Sequence, residues 1–341
     1  TKGDPSKPFH QRTMHATLQW SYDLLTPSER ALLRRLTVFR GWNEEAARNV
    51  CAGSEFKSNE IADYLYELVA CSLVATVIAD EGGKTRYRLH EMNRVFAYEL
   101  LQQQDEHHFY QRRHYAYFSQ LASEAEPHLN KPLQKEWLDC LDADYDNLCA
   151  ALDWCQENDS IEEGLQMAIA LFRFFVQRGH LQDGLKYLTM SEYTRIQCTS
   201  SHLAFSCAGS VAFRLGDFAR ASSLLNLSLD HPPAKHKNWI IANSKTHLAW
   251  IAAKSGEYAT ALILCNEAIS LWQREGRIGS QAQCLNIHGE VQMHLGHYEA
   301  AVQIHEQSLV LWNDEECGDN YGIGHAYECL GRVNFGRKDY D

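Results

Sequence analysis

Long apolar segments and paired cysteines are missing from this sequence. No run approaches the roughly 18 consecutive apolar residues of a membrane-spanning helix, and the N-terminus has no apolar core of signal-peptide type. The 11 cysteines stand singly, and none belongs to a Cys-x-x-Cys pair. Single cysteines are typical of a reducing compartment. These absences predict a cytoplasmic protein without membrane contact.

Motifs that would carry chemistry are missing as well. Gly83-Lys84-Thr85 matches the end of a phosphate-binding loop, but residue 78 is isoleucine where the loop needs glycine. The segment His90–Arg94 resembles a His-Glu-x-x-His zinc motif, but it ends in Arg94 instead of a second histidine. The sequence therefore predicts no catalytic residues, no metal site and no ATP hydrolysis by this stretch alone.

Positive charge is scarce in the C-terminal two thirds. Residues 1–106 hold 13 Lys and Arg against 15 Asp and Glu, whereas residues 107–341 hold 19 against 29. A strongly acidic segment repels nucleic acid and anionic membranes. The expected partners of this part are proteins or small molecules.

What the sequence does have is an internal repeat. Gly216, Gly256 and Gly296 lie 40 residues apart, and a fourth unit follows with Gly331 and Tyr340, each 42 residues after its counterpart, Gly289 and Tyr298. Aromatic and small residues keep the same step: Phe218, Tyr258 and Tyr298; Ala221, Ala261 and Ala301; Trp272 and Trp312. Repetition at this period predicts a solenoid of stacked helical hairpins.

The spacing within each unit resembles that of tetratricopeptide (TPR) repeats, and the recurring Trp272 and Trp312 are assigned to packing between units. In a TPR stack the first helix of each unit lines the inner side, where repeated amides could bind a peptide backbone or a polar effector. A merely solvated face is the open alternative. The partner-binding candidates are Asn243, Trp250, Gln283, Asn286, Glu290 and Arg332, together with Thr246, His325 and Glu328.

The N-terminal part changes periodicity in the middle. Helical patterns over 14–37, 43–51 and 59–70 precede two short strand patterns, 73–78 and 85–89, around the turn Asp80–Gly83. A helical pattern returns at 91–104, and helices followed by a β-hairpin predict a winged helix. The predicted fold class is thus mostly α, a winged helix followed by a TPR-like solenoid. Beyond it, continuous helices are predicted, including one over 133–155.

Several blocks in this part resemble a known family. The segment Gln11–Leu25 resembles the one that follows the nucleotide-binding core in STAND-class signalling ATPases, above all in bacterial regulators with a winged helix and TPR-like repeats. Arg34–Phe39, Leu68–Val74 and Arg86–Glu91 match further blocks, and Asp144–Trp154 resembles the start of the helical arm. The resemblance implies an upstream nucleotide-binding domain of the same chain as partner. ADP or ATP would bind in the parent protein, with no cofactor in this fragment.

The resemblance also suggests a role for one histidine. In STAND ATPases a Met-His-Asp motif closes the winged helix, and its histidine contacts the β-phosphate of ADP. Leu89-His90-Glu91 resembles that motif at the corresponding place, with both flanking residues replaced. His90 is therefore the candidate cofactor-binding residue, and only together with the upstream core. A histidine satisfied locally at the end of the wing is the alternative.

The winged helix does not have the charges of a DNA reader. The helix at recognition position, 59–70, carries Glu60, Asp63 and Glu67 and no Lys or Arg, whereas binding to DNA phosphates requires cations. We therefore expect no direct contact with nucleic acid. The wing residues Lys84, Arg86 and Arg88 would face the upstream ATPase core instead.

Together these observations predict a layout and a function. Residues 1–13 would be a linker from a missing upstream domain, 14–106 the winged helix, 107–198 helical linker hairpins, and 199–341 TPR-like repeats with a truncated last unit. The chain would be the regulatory and sensor fragment of a STAND-type ATPase, in a transcriptional regulator. The alternative is a constitutive TPR interaction scaffold without a nucleotide switch.

Overall fold

The computed structural model describes residues 9–77, 85–129, 134–192, 198–314 and 320–337, and their side chains except at 9–14, 320 and 321. The packing forms two compact units. The first comprises the chain up to residue 124 and residues 139–159, and the second comprises residues 125–138 and the chain from residue 160. The predicted turn at Asp80–Gly83 and the start of the last second helix at Tyr340 lie outside the described residues.

The first part of the chain contains eight described helices and three short strands. The helices are α1 Phe9–Asp23, α2 Pro27–Arg35, α3 Glu44–Cys51, α4 Ile61–Ala70, α5 Glu91–Gln103, α6 His107–Ala125, α7 Gln134–Ala143 and α8 Tyr145–Glu157. The strands are β1 Trp42–Asn43, β2 Ala75–Val77 and β3 Arg86–Arg88, and short 3-10 turns lie at Leu36–Val38, Ser58–Glu60 and Glu126–His128.

The small sheet joins the wing to the helices. Strand β3 lies in the middle and pairs antiparallel with both neighbours, so that Tyr87 lies opposite Trp42 on one side and Thr76 on the other. The rings of Trp42 and Tyr87 stack with centroids 6.3 Å apart. Strand β1 is only two residues long, too short for an alternating pattern to reveal it. Helices that precede and follow this hairpin have the order expected of a winged helix.

The start of helix α2 is determined by its local sequence. Thr26 and Glu29 form a capping box, in which the Thr26 N–H donates to Glu29 Oε2 at 2.7 Å and the Glu29 N–H to Thr26 Oγ1 at 3.3 Å. Pro27 occupies the first turn, where its missing N–H costs nothing. The helix then buries Leu32, Leu33 and the charged Arg35 in the core of the first unit.

The region predicted as one helix over 133–155 is interrupted, which corrects that prediction. Helix α7 ends at Ala143 and α8 begins at Tyr145, with the backbone of Asp144 outside the helical region. The break lets Asn147 accept the Arg40 N–H at 2.8 Å and donate to the Gly41 carbonyl at 2.7 Å. Asp144 binds Arg86 of β3 at 2.6 Å. The hydrogen bonds of Asn147 and the ion pair of Asp144 replace the backbone hydrogen bonds that an uninterrupted helix would make here.

The second unit is a stack of helical hairpins. Its helices are α9 Ile161–Ala170, α10 Phe172–Arg178, α11 Leu181–Leu188, α12 Ser201–Arg214, α13 Phe218–Leu229, α14 Lys237–Lys254, α15 Tyr258–Arg274, α16 Ile278–His294, α17 Tyr298–Trp312 and α18 Asn320–Arg337. The sequence repeats correspond to the pairs α12/α13, α14/α15 and α16/α17, and α18 is the first helix of a fourth repeat.

The turn within each pair is the same in all three repeats. Gly216, Gly256 and Gly296 have φ angles of +80°, +81° and +79°, which only glycine adopts without strain. The following N–H reaches back to the carbonyl five residues earlier, as in Asp217 N to Ala212 O at 3.0 Å. This is a Schellman ending, and it explains why glycine returns every 40 residues.

Small residues recur where the two helices of a pair touch. A Cβ on Gly209 would lie 2.5 Å from Leu225 Cγ, and a Cβ on Gly289 would lie 2.6 Å from the imidazole of His305. Trp272 is buried and donates its N–H to Thr246 Oγ1 at 3.0 Å, and Trp312 is also buried. The predicted fold class, a mostly helical chain with a small sheet and a TPR-like solenoid, is confirmed.

Candidate functional site

His90 lies at the junction between the wing and helix α5. It directly precedes Glu91, the first residue of α5, and its carbonyl accepts the Arg94 N–H at 2.9 Å. Its side chain is exposed, and among the described residues none is hydrogen-bonded to the imidazole. A helix N-terminus also presents free backbone N–H groups, which favour an anion. His90 and the start of α5 therefore form a surface that could contact a phosphate.

Exposed apolar side chains accompany this junction on the two helices that pack together there. Helices α1 and α5 meet through Phe96, whose ring lies 5.1 Å from His15 and 5.8 Å from Tyr22. On α5, Met92 and Val95 are 43% and 46% exposed. Trp20 on α1 and Leu24 just beyond it are about two-thirds exposed. Such exposure of large apolar side chains is a feature of contact surfaces.

The helix at recognition position shows an acidic surface. The side chains of α4 that face solvent include Asp63, Tyr66 and Glu67, whereas Ile61, Leu65 and Leu68 are buried. Arg86 of the wing is paired with Asp144, and Lys84 lies outside the described residues. Helix α4, which is described over its whole length, contains no lysine or arginine.

In the second unit, the first helices of successive repeats contact one another: α12 touches α14, α14 touches α16, and α16 touches α18. The predicted partner-binding residues all lie on α14, α16 or α18. We call the surface that they form the first-helix face; it comprises Asn243, Trp250, Gln283, Asn286, Glu290 and Arg332.

The two asparagines of this face bind neighbouring repeats. Asn243 is buried, and its amide nitrogen donates to Ser206 Oγ and Ser210 Oγ, both at 2.9 Å. Asn286 is also buried and lies between two imidazoles, 3.2 Å from His325 Nδ1 and 3.3 Å from His305 Nδ1. Both amides therefore hold adjacent first helices in register beneath the surface.

The tryptophan of the face is surrounded by other rings. Trp250 contacts Phe213 of the preceding repeat, with ring centroids 4.9 Å apart, and lies 6.4 Å from His325. The Lys254 amine lies 5.9 Å from the centre of its ring. Its indole N–H is buried, and within the described chain no acceptor reaches it. Trp250 thus connects α12, α14 and α18 across the face.

The charged members of the face are paired across repeats. Arg332 Nη2 donates to Glu290 Oε1 at 3.0 Å, and these residues occupy equivalent positions in consecutive repeats. The Arg332 side chain is 45% exposed and that of Glu290 18%. Gln283 is partly exposed, Glu328 is exposed, and Thr246 is buried beneath Trp272. The structure thus brings Trp250 and Asn286 next to His325 and, separately, pairs Glu290 with Arg332.

Buried histidines lie just beneath this face. Burial, helped by the Arg214 charge and opposed by the hydrogen bond to the Asn243 carbonyl, lowers the pKa of His247 from its ordinary value to about 4. Its Nδ1 lies 2.9 Å from the Asn243 carbonyl and 3.3 Å from Ser210 Oγ. Burial likewise lowers the pKa of His305 to about 4. Both rings are therefore neutral at pH 7.

Other kinds of site find no support in the described ranges. There, no group of three or more His, Cys, Asp or Glu side chains could hold a metal ion. No described helix is long and apolar enough to span a bilayer.

The polar contacts of Asp144 and Asn147 were not predicted from sequence. Asp144, Asn147, Arg86 and His114 connect α8, the wing and α6, and the His114 Nε2 lies 3.3 Å from Asn147 Oδ1. The only sequence signal was the resemblance of Asp144–Trp154 to the start of a helical arm. In the structure this stretch contacts the wing itself.

Comparisons with known proteins support part of this interpretation. No protein-family model matches the chain. Over 181 residues, 52% of the chain, it is 38% identical to a protein of Mycobacterium tuberculosis (strain ATCC 25618 / H37Rv) named "Putative HTH-type transcriptional regulator Rv0890c". Over 98 residues it is 38% identical to "Uncharacterized protein Rv0894" of the same strain. The chain spans about a fifth to a quarter of these relatives' lengths, 20% and 24%.

A solved structure shares the fold over nearly the whole chain. It is the crystal structure of a Signal Transduction ATPase with Numerous Domains (STAND) protein with a tetratricopeptide repeat sensor, from Pyrococcus horikoshii. The two align with a TM-score of 0.52 and 16% sequence identity, covering 99% of this chain and 51% of that chain. At this identity the similarity concerns the fold alone.

Proposed function

We propose that this chain is the regulatory and sensor portion of a STAND-type signalling ATPase that acts as a transcriptional regulator. In this proposal the winged helix restrains an upstream nucleotide-binding core in its ADP-bound state. The solenoid binds a protein or small-molecule effector and releases that restraint. A ligand can shift such an equilibrium only if it binds the two states with different affinity.

Two independent similarities support this proposal. The fold aligns along its length with a STAND protein that carries a TPR sensor. The sequence relatives at 38% identity include a protein named as an HTH-type transcriptional regulator. Neither similarity by itself specifies the nucleotide switch, so support for the switch has to come from the surface of the first unit.

The observation that carries the switch is the position of His90. It is exposed at the N-terminus of α5, where a phosphate would gain both backbone N–H groups and an imidazole. Met92 and Val95 on the same helix are exposed, and they would be covered if a nucleotide-binding core docked there. Arg88 of the wing is exposed as well and would face that core.

The test uses the full-length protein that contains the upstream core. His90→Ala should raise basal activity and accelerate ADP release, because one contact to the bound phosphate is lost. His108→Ala, an exposed histidine on α6, is the matched control and should change neither quantity. ADP release that is unaltered by His90→Ala would contradict the proposed contact.

Direct DNA binding by the winged helix is not part of this proposal. The exposed side chains Asp63 and Glu67 on α4 would repel DNA phosphates. Binding of DNA by a relative of HTH type would then come from a segment other than this helix. The experiment is a titration of this chain with duplex DNA at low salt, where we expect no salt-dependent binding.

A constitutive TPR scaffold is the competing function. The packing of the first-helix face favours neither function, since Asn243 and Asn286 are engaged within the solenoid. Oligomerisation of the full-length protein with ADP and with ATP separates the two. A scaffold would assemble equally with both nucleotides, whereas a switch would assemble only after exchange.

A further inference from the structure

Arg173 of helix α10 occupies a repeat position that also contributes to the first-helix face. It precedes Gly179 by six residues, as Trp250 precedes Gly256. Gly179 has a φ angle of +80°, close to that of the glycines in the later turns. The row of positions to which Trp250 belongs therefore begins with an arginine, one pair of helices before the clear sequence repeats.

The guanidinium group of Arg173 has no bonded acceptor among the described residues. Its side chain is partly buried, yet neither a hydrogen bond nor an ion pair holds it within the described chain. Other partly buried arginines are paired, as Arg220 is with Glu192 in the second unit and Arg86 with Asp144 in the first. Burial lowers the pKa of Arg173, because a cation removed from water without compensation is disfavoured.

A second cation of the same unit lies near the first. The charge of Arg277 lowers the pKa of Arg173 further, because the two guanidinium groups repel each other. Arg277 is exposed and directly precedes Ile278, the first residue of α16, whose N-terminus has no side-chain cap in the described chain. The first N–H groups of this 17-residue helix add to the positive potential. Two arginines thus lie near each other, although helices α11 to α15 separate them in the sequence.

Negative charge is scarce at this place. The groups that raise the pKa of Arg173 are the Cys207 thiol and the Glu126 carboxylate. Burial raises the pKa of the Cys207 thiol far above its usual range, so this group carries no charge at pH 7. Glu126 is exposed and is not bonded to Arg173. Among these described groups, two guanidinium ions therefore outnumber one carboxylate, in a chain whose net charge is −12.

A phosphate group fits this surplus of positive charge. A guanidinium group binds phosphate oxygens through two parallel N–H···O bonds. A phosphate monoester carries about −1.5 to −2 charges at pH 7 and can neutralise two arginines, whereas a carboxylate neutralises one. A long polyanion such as nucleic acid would be repelled by the acidic solenoid around the site.

We propose that Arg173 and Arg277 together bind the phosphate group of a small phosphorylated molecule. This gives a chemical class for the effector of the solenoid and rests, to that extent, on the proposed function. The binding itself needs neither a nucleotide nor an upstream core, so it can be measured on this chain.

The probe is inorganic phosphate, and acetate at the same ionic strength is the control with a single charge. Binding is followed by phosphorus NMR titration and by the midpoint of thermal unfolding. We expect phosphate to raise the midpoint more than acetate does, because a ligand that binds only the folded chain stabilises it. Phosphate also stabilises proteins by exclusion from their surface, so the decisive comparison is between variants.

Arg173→Met removes the charge and keeps an apolar side chain of similar length. It should weaken phosphate at least about ten-fold and raise the midpoint in phosphate-free buffer, since an uncompensated charge leaves a partly buried position. Arg277→Gln, at an exposed position, should weaken phosphate at least about three-fold. Arg214→Gln is the matched control, because it removes an exposed arginine from the last turn of α12, and it should keep the affinity.

Three results would overturn the inference. They are equal midpoints of the unmodified chain in phosphate and in acetate, a phosphate affinity that Arg173→Met or Arg277→Gln leaves unchanged, and a lower midpoint of Arg173→Met in phosphate-free buffer. The last would mean that the protein itself satisfies this arginine. Because Arg277 is exposed, its variant tests the site independently of packing around Arg173. The nucleotide switch is unaffected by these results, since it depends on His90 and is read by ADP release.

Discussion

The contacts that stabilise each of the two units differ in how far apart their residues lie in the sequence. In the first unit, Arg35 binds Glu106, 71 residues away, and Asn147 binds the backbone of Arg40, 107 residues away. In the solenoid, polar contacts join neighbouring repeats, such as Glu290 and Arg332, 42 residues apart. The first unit thus depends on a few long-range bonds, and the solenoid on many short-range ones.

This difference in contact range matches the different functions proposed for the two units. A unit whose distant segments share buried polar partners is expected to open as a whole, and it can transmit a restraint to a domain bound to its surface. A stack of repeats is stabilised mainly by nearest-neighbour contacts, so a ligand at one junction affects that junction most. The following variants test whether disturbance spreads in the first unit and stays local in the solenoid.

Arg35→Ala should have the largest effect. The Arg35 side chain is 1% exposed, binds Glu55 and Glu106 at 2.5 and 3.1 Å, and lies 4.5 Å from the centre of the Tyr110 ring. Removing it takes the arginine partner from Glu55, leaves Glu106 with Arg34 alone and deprives the Cys51 carbonyl of a donor. Because this breaks a buried network of polar contacts, we expect a loss of about 3–4 kcal/mol. Hydrogen exchange by mass spectrometry should show faster exchange in α2 through α6, while α12 to α18 keep their protection.

Arg48→Ala is the control for Arg35. It removes an exposed arginine whose partner, Glu44, is one helical turn away, and an exposed pair of this kind contributes about 0.3–0.5 kcal/mol. If both variants changed exchange equally little, the buried ion pair would not hold the first unit together.

Asn147→Ala should be the next most severe change. It removes the partners of the Arg40 N–H and the Gly41 carbonyl, and leaving two partly buried backbone groups without this partner costs about 2 kcal/mol. Asn158→Ala at the opposite, C-terminal end of α8 is the control, since its side-chain amide binds the Trp154 carbonyl four residues back. Urea unfolding should separate the two variants; equal midpoints would refute the long-range role of Asn147.

The sequence allowed the repeats to be predicted because their signals are local. A glycine at a positive φ and a small residue at a helix contact recur at fixed positions, as at Gly256 and Ala261. The network around Asn147 gave no such signal, because its partners are scattered over more than a hundred residues. The helix break at Asp144 followed from the same network and was predicted wrongly as continuous helix.

The first-helix face illustrates a second limit. Helical periodicity placed Asn243 and Asn286 on one side together with Trp250 and Glu290, whereas in the structure both asparagines are buried. Periodicity does not show how closely the next repeat approaches. Ser206 and Ser210 are short enough for Asn243 to reach them, and His325 reaches Asn286. How deeply a residue of this face is buried thus depends on the side chains of the neighbouring repeat.

Acid should weaken the solenoid through His247. Its pKa is about 4 in the folded state, against an ordinary 6.5, because burial disfavours the charged ring. The unfolded chain therefore binds a proton first, so stability is complete above about pH 6.5 and falls as the pH drops towards 4. At about pH 5 the loss attributable to this ring is on the order of 2 kcal/mol.

His247→Ile isolates this contribution. Isoleucine is the residue at the equivalent position of the next repeat, Ile287, where it is buried. Urea unfolding monitored at several pH values should show a shallower loss below pH 6.5 for this variant, whereas His294→Ala, at an exposed position, should keep the slope. An unchanged slope in His247→Ile would show that other groups carry the acid sensitivity.

The smallest effects should distinguish two equivalent glycines. A Cβ on Gly289 would meet the His305 ring at 2.6 Å, whereas a Cβ on Gly331, 42 residues later, would meet nothing within 4 Å. Both lie in helices, where alanine is favoured over glycine by about 1 kcal/mol. Gly331→Ala should therefore gain up to that amount, while Gly289→Ala should lose about 1 kcal/mol net because overpacking outweighs propensity. Thermal unfolding of the two variants should show midpoints displaced in opposite directions.

Hydrogen exchange in Gly289→Ala should rise in α16 and α17 and remain unchanged in α12 and α13, since the contact that is disturbed lies within one repeat. A rise that spreads through the whole solenoid would mean that its repeats unfold together, as we expect only of the first unit.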